Sequence, residues 1–219
     1  LNFLSDLISM DSRITITFSK PLDVFGNPVD DEGRSLDRRG RVVDARRYVF
    51  RDGEPVIDAQ RDAQYTRELA EEVCRSLARD NVIMSTHLLG HVIFQLLRRR
   101  NPGLDLYRLL RTGGDVASFP MEEVHSEVER LLALLRAQGE AGKLVPRLSS
   151  TLQAGDAQEI VGEALKHFGI YHTRPAAERR GDRVFHVDRN LLLYYGNRLR
   201  GYDLGRAAAA QAMEQGVQP

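Results

Sequence analysis

His87 and His91 stand four residues apart within "NVIMSTHLLGHVIFQLL", residues 81–97. On a helix that spacing turns both imidazoles to one side, the arrangement by which two histidines share a divalent metal. A hydrolytic zinc site of this kind places a glutamate directly after the first histidine as general base. Here Leu88 occupies that position, and no third ligand is indicated. The pair therefore reads as a polar stripe beside an apolar helix face, with no metal and no catalytic residue assigned. Cys74, the single cysteine, has no evident histidine partner in the sequence and reads as a small buried hydrophobe rather than a nucleophile.

Charge adds little pull toward a partner. The 219 residues carry 31 lysines and arginines against 31 aspartates and glutamates, so the formal net charge is zero and no overall field draws the chain to nucleic acid. The basic groups are local: Arg38, Arg39, Arg41, Arg46 and Arg47 in one loop, then Arg98, Arg99 and Arg100, then Arg179, Arg180 and Arg183. Such runs are in the main solvated faces, with anionic lipid and nucleic acid as the alternatives, and Arg98, Arg99 and Arg100 are the candidates for a membrane surface. A hydrophobic fraction of 42% supports a real core. One cysteine fits a reducing compartment. No secretory signal is visible, and the start at Leu1 rather than Met suggests a truncated chain.

The elements that must position these residues change character along the chain. "RITITF", residues 13–18, alternates polar and apolar β-formers and is expected to be a strand. Residues 20–58 are turn chemistry, with a possible short strand at "RYVF", 47–50, and no repeat of fixed period is expected anywhere. From Asp58 the pattern is helical. Tyr65, Leu69, Val73 and Leu77 recur every fourth residue. A second helix follows Thr86 as N-cap, with Leu88, Leu89, Val92, Ile93, Leu96 and Leu97 on one broad face, and Arg98–Arg100 complement its C-terminal dipole. Its polar residues, including His87, His91 and Gln95, make it too costly to place in hydrocarbon, so it is expected to pack on protein or lie at an interface. Further helices are expected near 104–111, 120–137 and 156–168, the last stopped at Gly169. Short strands are expected at 143–148, 170–174 and 183–187. Helix, strand, helix, strand, turn, strand is close to a winged-helix order.

"DEGRSLD", 31–37, is similar to the phosphate-gripping block of glycerolipid acyltransferases, in which an arginine fork suits a phosphate bidentately. That block carries one more residue between Gly and Arg than Gly33-Arg34 does. A solvated turn is the competing reading of Arg34. Together with "ITFSKPLDVFGNPVDDEGRSLDRRGR", "DAQRDAQYTRELAEEV", "NVIMSTHLLGHVIFQLL", "EALKHFGIYHTRP" and "NLLLYYGNRLRGY", it makes the chain resemble the stretch that follows the catalytic blocks in bacterial glycerol-3-phosphate acyltransferases.

The resemblance implies acyl transfer from acyl-CoA or acyl carrier protein to glycerol 3-phosphate. It implies a peripheral position on the cytoplasmic face of a membrane, with an anionic lipid surface as partner, no nucleic acid and no cofactor. In that family a His-x-x-x-x-Asp motif supplies base and orienter. Five residues after His87, His91, His125, His167, His172 and His186 stand Val92, Leu96, Arg130, His172, Ala177 and Leu191. The dyad is absent, so no catalytic residue carries over and the chain alone is expected to be inactive. The expected fold is mainly α with a few short strands. Residues 1–57 would be the tail of an α/β acyltransferase sheet with its wrapping loop, and 58–219 a helical C-terminal domain containing a small β-hairpin, with a possible sub-boundary near 115. The alternative is a non-catalytic winged-helix-like interaction or regulatory module.

Overall fold

Aspartate side chains that reach their own backbone organise the turn-rich stretch. The computed structural model describes residues 15–140, 146–202 and 204. The chain divides into two units, Ile16–Asp80 and the residues from Asn81 onward with the N-terminal residues through Thr15. In the first unit Asp23, Asp30, Asp37 and Asp44 recur every seventh residue, and Gly26, Gly33 and Gly40 each follow three later. Oδ1 of each aspartate accepts the backbone N–H two residues on. In the first three it also accepts the N–H four residues on, all at 2.8 to 3.2 Å. Oδ2 takes the side chain four residues on: Asn27 Nδ2 at 2.9 Å, Arg34 Nε at 2.8 Å and Arg41 Nε at 2.8 Å. The glycines sit at φ +82°, +80° and +75°, where a Cβ is strained. Val29, Leu36 and Val43 N–H donate to Pro21, Pro28 and Ser35 C=O, tying each turn to the one before.

This ribbon is a repeat of period seven, where none was expected. Its fixed residues are one Asp and one Gly per unit, ordinary loop residues that read singly as turns, so the period shows only when the units are aligned. A 3₁₀ turn, Ala45–Tyr48, continues from the Asp44 cap, and a small hairpin follows, β1 (Phe50–Arg51) with β2 (Glu54–Pro55). The strand expected at 47–50 is thus a turn that becomes extended only at Phe50. Residues 15–18 are irregular and exposed rather than a strand, because no described strand lies beside them to pair with; Arg13 and Ile14 lie outside the described residues. No tail of an α/β sheet forms among the described residues.

Helix α1 (Ala59–Asp80) belongs to this first unit. Phe25, Tyr48 and Tyr65 form an aromatic cluster with ring centroids 4.8 to 5.6 Å apart, and Gly26 lies against Leu69, where an added Cβ would be 3.4 Å from the Leu69 Cα. That packing moves the boundary to Asp80–Asn81, rather than the 57–58 expected. Cys74 on α1 is exposed, not buried.

The second unit is built around a helix that is apolar on nearly every side. After β3 (Val82–Ile83), α2 (Ser85–Arg100) buries Leu88, Leu89, Val92, Ile93, Phe94, Leu96 and Leu97. A helix buried all round needs no membrane to explain its composition. Among the described residues no helix is long and apolar enough to cross one. The order continues with α3 (Leu106–Thr112), β4 (Ser118–Pro120), α4 (Met121–Glu140), β5 (Arg147–Leu148), α5 (Ser150–Ala154), α6 (Ala157–Tyr171), β6 (Ala177–Arg180), β7 (Arg183–His186), α7 (Arg189–Gly196) and a 3₁₀ turn, Asn197–Tyr202. The fold is mainly α with a few short strands.

Two glycines let α7 lie directly on α2. A Cβ on Gly90 would fall 2.8 Å from the Tyr195 Cβ, and one on Gly196 would fall 3.0 Å from the His91 Cα. At the far end of α2, buried Asn101 donates from Nδ2 to Leu97 C=O at 2.8 Å and accepts the Asp115 N–H at Oδ1. Gly114, at φ +65°, passes so close that its Cβ would be 2.0 Å from Asn101 Oδ1. Arg189 Nε donates to Leu110 C=O at 2.9 Å, capping α3 from the start of α7.

The antiparallel sheet runs β4–β7–β6, with Phe119 opposite Val184 and a tight Gly181-Asp182 turn between β6 and β7. Its first hairpin strand is 177–180, not 170–174. Gly169 does not stop α6, because Phe168 is fully buried and the helix continues to Tyr171, whose ring stacks on His167 one turn back. Of the strand expected at 143–148, Arg147–Leu148 forms, and 143–145 lie outside the described residues. The helix after Thr86 starts earlier, with Met84 as N-cap and Thr86 buried.

Candidate functional site

Two strand-to-helix junctions lie side by side and open a deep cleft. β3 and β5 pair in parallel, Val82 with Arg147 and Ile83 with Leu148, and Ser149 N–H donates to Ile83 C=O at 2.9 Å. Each strand leads at once into a helix, so the starts of α2 and α5 are brought together with their hydroxyls: Ser85 and Thr86 on one, Ser149, Ser150 and Thr151 on the other. α6 forms the facing wall with Glu159, Glu163, Lys166, His167 and Tyr171, and α7 adds Tyr195. The cleft encloses about 830 Å³.

Its polar groups have defined roles. His87 Nδ1 accepts the Met84 backbone N–H at 3.2 Å, the reach of an N3 residue in a capping box. That bond leaves the ring proton on Nε2. Burial, aided by the Arg198 guanidinium, pulls the His87 pKa down to about 4, so the ring is neutral near pH 7. Thr151 Oγ1 and Glu163 Oε1 are 3.0 Å apart. Asp156 caps α6 by accepting the Glu159 N–H at 2.9 Å, as expected for a start there. The Tyr195 hydroxyl and His172 Nε2 are hydrogen-bonded at 2.8 Å, and burial first, then Tyr194 and Tyr171, raises the Tyr195 pKa. The residues that build this cleft were missed from sequence, His87 apart. Strand pairing between 82–83 and 147–148, which brings them together, leaves no local signal in strands two residues long.

His91 does not share the cleft with His87. It lines a second one, about 460 Å³, with Gln95, Arg99, Glu127 and Arg130, and burial lowers its pKa. The two imidazoles, alike in spacing, serve different surfaces. Among the described residues no group of three His, Cys, Asp or Glu side chains is placed to hold a metal.

Arg34 sits in the second turn of the ribbon. Its Nε lies 2.8 Å from Asp30 Oδ2 and an Nη lies 3.0 Å from Glu32 Oε2, both in its own turn. Asn27 and Arg41 hold the same position in the neighbouring turns. Arg98, Arg99 and Arg100 are exposed at the end of α2, but two are committed to α4: Arg99 to Glu127 at 2.8 Å and Arg100 to Glu123 at 2.7 Å. Of the basic hairpin, Arg180 pairs with Glu178 and lies over the Phe185 ring, and Arg183 donates to Ser118 Oγ. No family model, curated protein or solved structure matches the chain.

Proposed function

We propose that the chain is the non-catalytic C-terminal portion of a glycerol-3-phosphate 1-O-acyltransferase of phospholipid biosynthesis, acting at the cytoplasmic face of a membrane. Acyl-CoA or acyl carrier protein and glycerol 3-phosphate would be engaged through the catalytic portion. The sequence resemblance carries this reading, and one structural observation supports its non-catalytic half. In the cleft at the starts of α2 and α5, His87 has its only lone-pair nitrogen occupied by the Met84 N–H, so it donates and cannot accept a proton from a hydroxyl. Purified chain incubated with acyl-CoA or acylated carrier protein and glycerol 3-phosphate is expected to give no lysophosphatidate. Turnover would overturn the reading.

The β4–β7–β6 order favours the second reading, a winged-helix-like interaction module, since the last strand lies central, between the first strand and its own hairpin partner. The helix preceding the hairpin, α6, carries Glu159 and Glu163 on its cleft-facing side, which opposes a phosphate backbone. A protein surface fits such a module better than nucleic acid. Salt-sensitive DNA binding by the purified chain would reverse that preference.

A further inference from the structure

The cleft at the starts of α2 and α5 binds no substrate in the acyltransfer reading, which draws on it only for the engaged Nδ1 of His87, and its ligand is argued from the remaining lining residues. Its volume of about 830 Å³ is that of a small-molecule site, roughly 300–1,000 Å³. We propose that it binds a neutral polyhydroxylated ring, a sugar unit, with the outer face of Tyr171, whose other face is stacked on His167, against the ring carbons and Glu163 and His87 Nε2–H on its hydroxyls.

The chemistry of the walls selects this class. An apolar ligand would strip water from the hydroxyls of Ser85, Thr86, Ser149 and Thr151 and return no hydrogen bonds. A phosphate or carboxylate would meet two carboxylates, Glu159 and Glu163, against the one ammonium of Lys166, and an uncharged His87. It would also find the Met84 N–H at the head of α2 already spent on His87 Nδ1. An organic cation would face Lys166 on the same helix as those carboxylates. A polyol needs donors, acceptors and an aromatic face together. Here Glu163 accepts, His87 Nε2 donates, and hydroxyls that do both stand opposite a stacked His167–Tyr171 pair, with centroids 5.5 Å apart and planes at 22°.

The test is a titration of the full chain, followed by NMR of the imidazole and tyrosine ring resonances. Maltose, lactose and sucrose serve as probes, with inorganic phosphate and tetramethylammonium as probes of the rival classes. We expect a sugar to shift the His87, His167 and Tyr171 signals saturably, with a Kd of about 1 mM. Tyr171→Ala and Glu163→Gln are expected to weaken that binding by about tenfold or more, while Tyr171→Phe keeps it. Tyr171 is half-exposed at the end of α6, so its variants leave the core intact. Absence of a saturable shift with all three sugars overturns the proposal. So does sugar binding indifferent to both Tyr171→Ala and Glu163→Gln, or preferential saturation by phosphate or tetramethylammonium.

Discussion

The turn ribbon of the first unit and the helical core of the second solve the same problem by opposite means. The ribbon satisfies its backbone with aspartate side chains, buries little, and repeats one unit in which the aspartate and glycine stay fixed while the tip and the partner four residues after the aspartate change. The helical unit satisfies its backbone internally and is held by apolar burial around α2 and by glycines that let helices touch. One region is a sum of nearly independent turns, the other a shared core. Damage should therefore stay local in the ribbon and spread in the core.

The largest expected effect comes from emptying that core. Phe168 is fully buried and packs on Tyr195 with ring centroids 5.0 Å apart. Phe168→Ala should cost about 3–5 kcal/mol, read as a lowered denaturant midpoint for the helical unit; a change confined to residues near 168 would break the contrast. Next come the close approaches. Gly90→Ala and Gly114→Ala force contact with the Tyr195 Cβ and the Asn101 amide, and each should destabilise by about 1–3 kcal/mol. Wild-type stability in both would mean that these contacts relax freely.

Acid should separate the two regions. An unfolded histidine titrates near about 6.5, whereas burial lowers the pKa of folded His87 to about 4 and also lowers those of His91 and His186. The unfolded state then binds more protons, so this stability is full above about pH 6.5 and is lost as pH falls toward about 4, by up to about 1.4 kcal/mol per pH unit for His87. The ribbon carboxylates behave differently. Hydrogen bonds from the Arg34 and Arg41 backbones hold Asp30 and Asp37 below the usual range. Asp23 is pushed up by burial and brought back lower by Asn27. Their contribution is present above about pH 3.9 and is lost only as pH falls through those lower values. Hydrogen exchange against pH should show the helical unit loosening first. The reverse order would contradict this assignment.

Smaller effects sharpen the contrast. Asp37→Ala should speed amide exchange at Arg39 and Arg41, the two N–H groups it caps, and leave the neighbouring turns and the helical unit untouched. Smallest is the membrane contribution of Arg98–Arg100. With Arg99 and Arg100 held by Glu127 and Glu123, Arg98→Ser alone should weaken co-sedimentation with anionic vesicles only slightly; a large loss would make Arg98 the principal contact.

The helix after residue 85 was legible in sequence because burial writes a period of three to four: Leu88, Leu89, Val92, Ile93, Leu96 and Leu97 were expected on one face and are buried, whereas Val73 and Leu77 of the α1 stripe are exposed. Helix α7 was less visible. It is short, and Gly196 ends it at a contact with α2 that nothing local announces. The hairpin was displaced because Ile170 and Tyr171 are β-formers that finish a helix anchored by Phe168. The ribbon was read correctly as turns, yet its period went unseen, since the bonds that create it run from side chain to backbone and its one recurring apolar position per turn, Leu22, Val29, Leu36 and Val43, matches neither the strand nor the helix period. The cleft was the least legible feature, made by pairing residues 82–83 with 147–148 across the sequence.

If this chain completes an acyltransferase, as proposed, the catalytic histidine and aspartate lie elsewhere in the protein. The decisive measurement is to read the gene in frame upstream of the Leu1 codon. Continuation into a His-x-x-x-x-Asp block followed by a Glu-Gly-x-Arg-Ser block is expected. A start codon immediately before Leu1, or an upstream frame lacking both blocks, would contradict it and leave the interaction module as the reading to pursue.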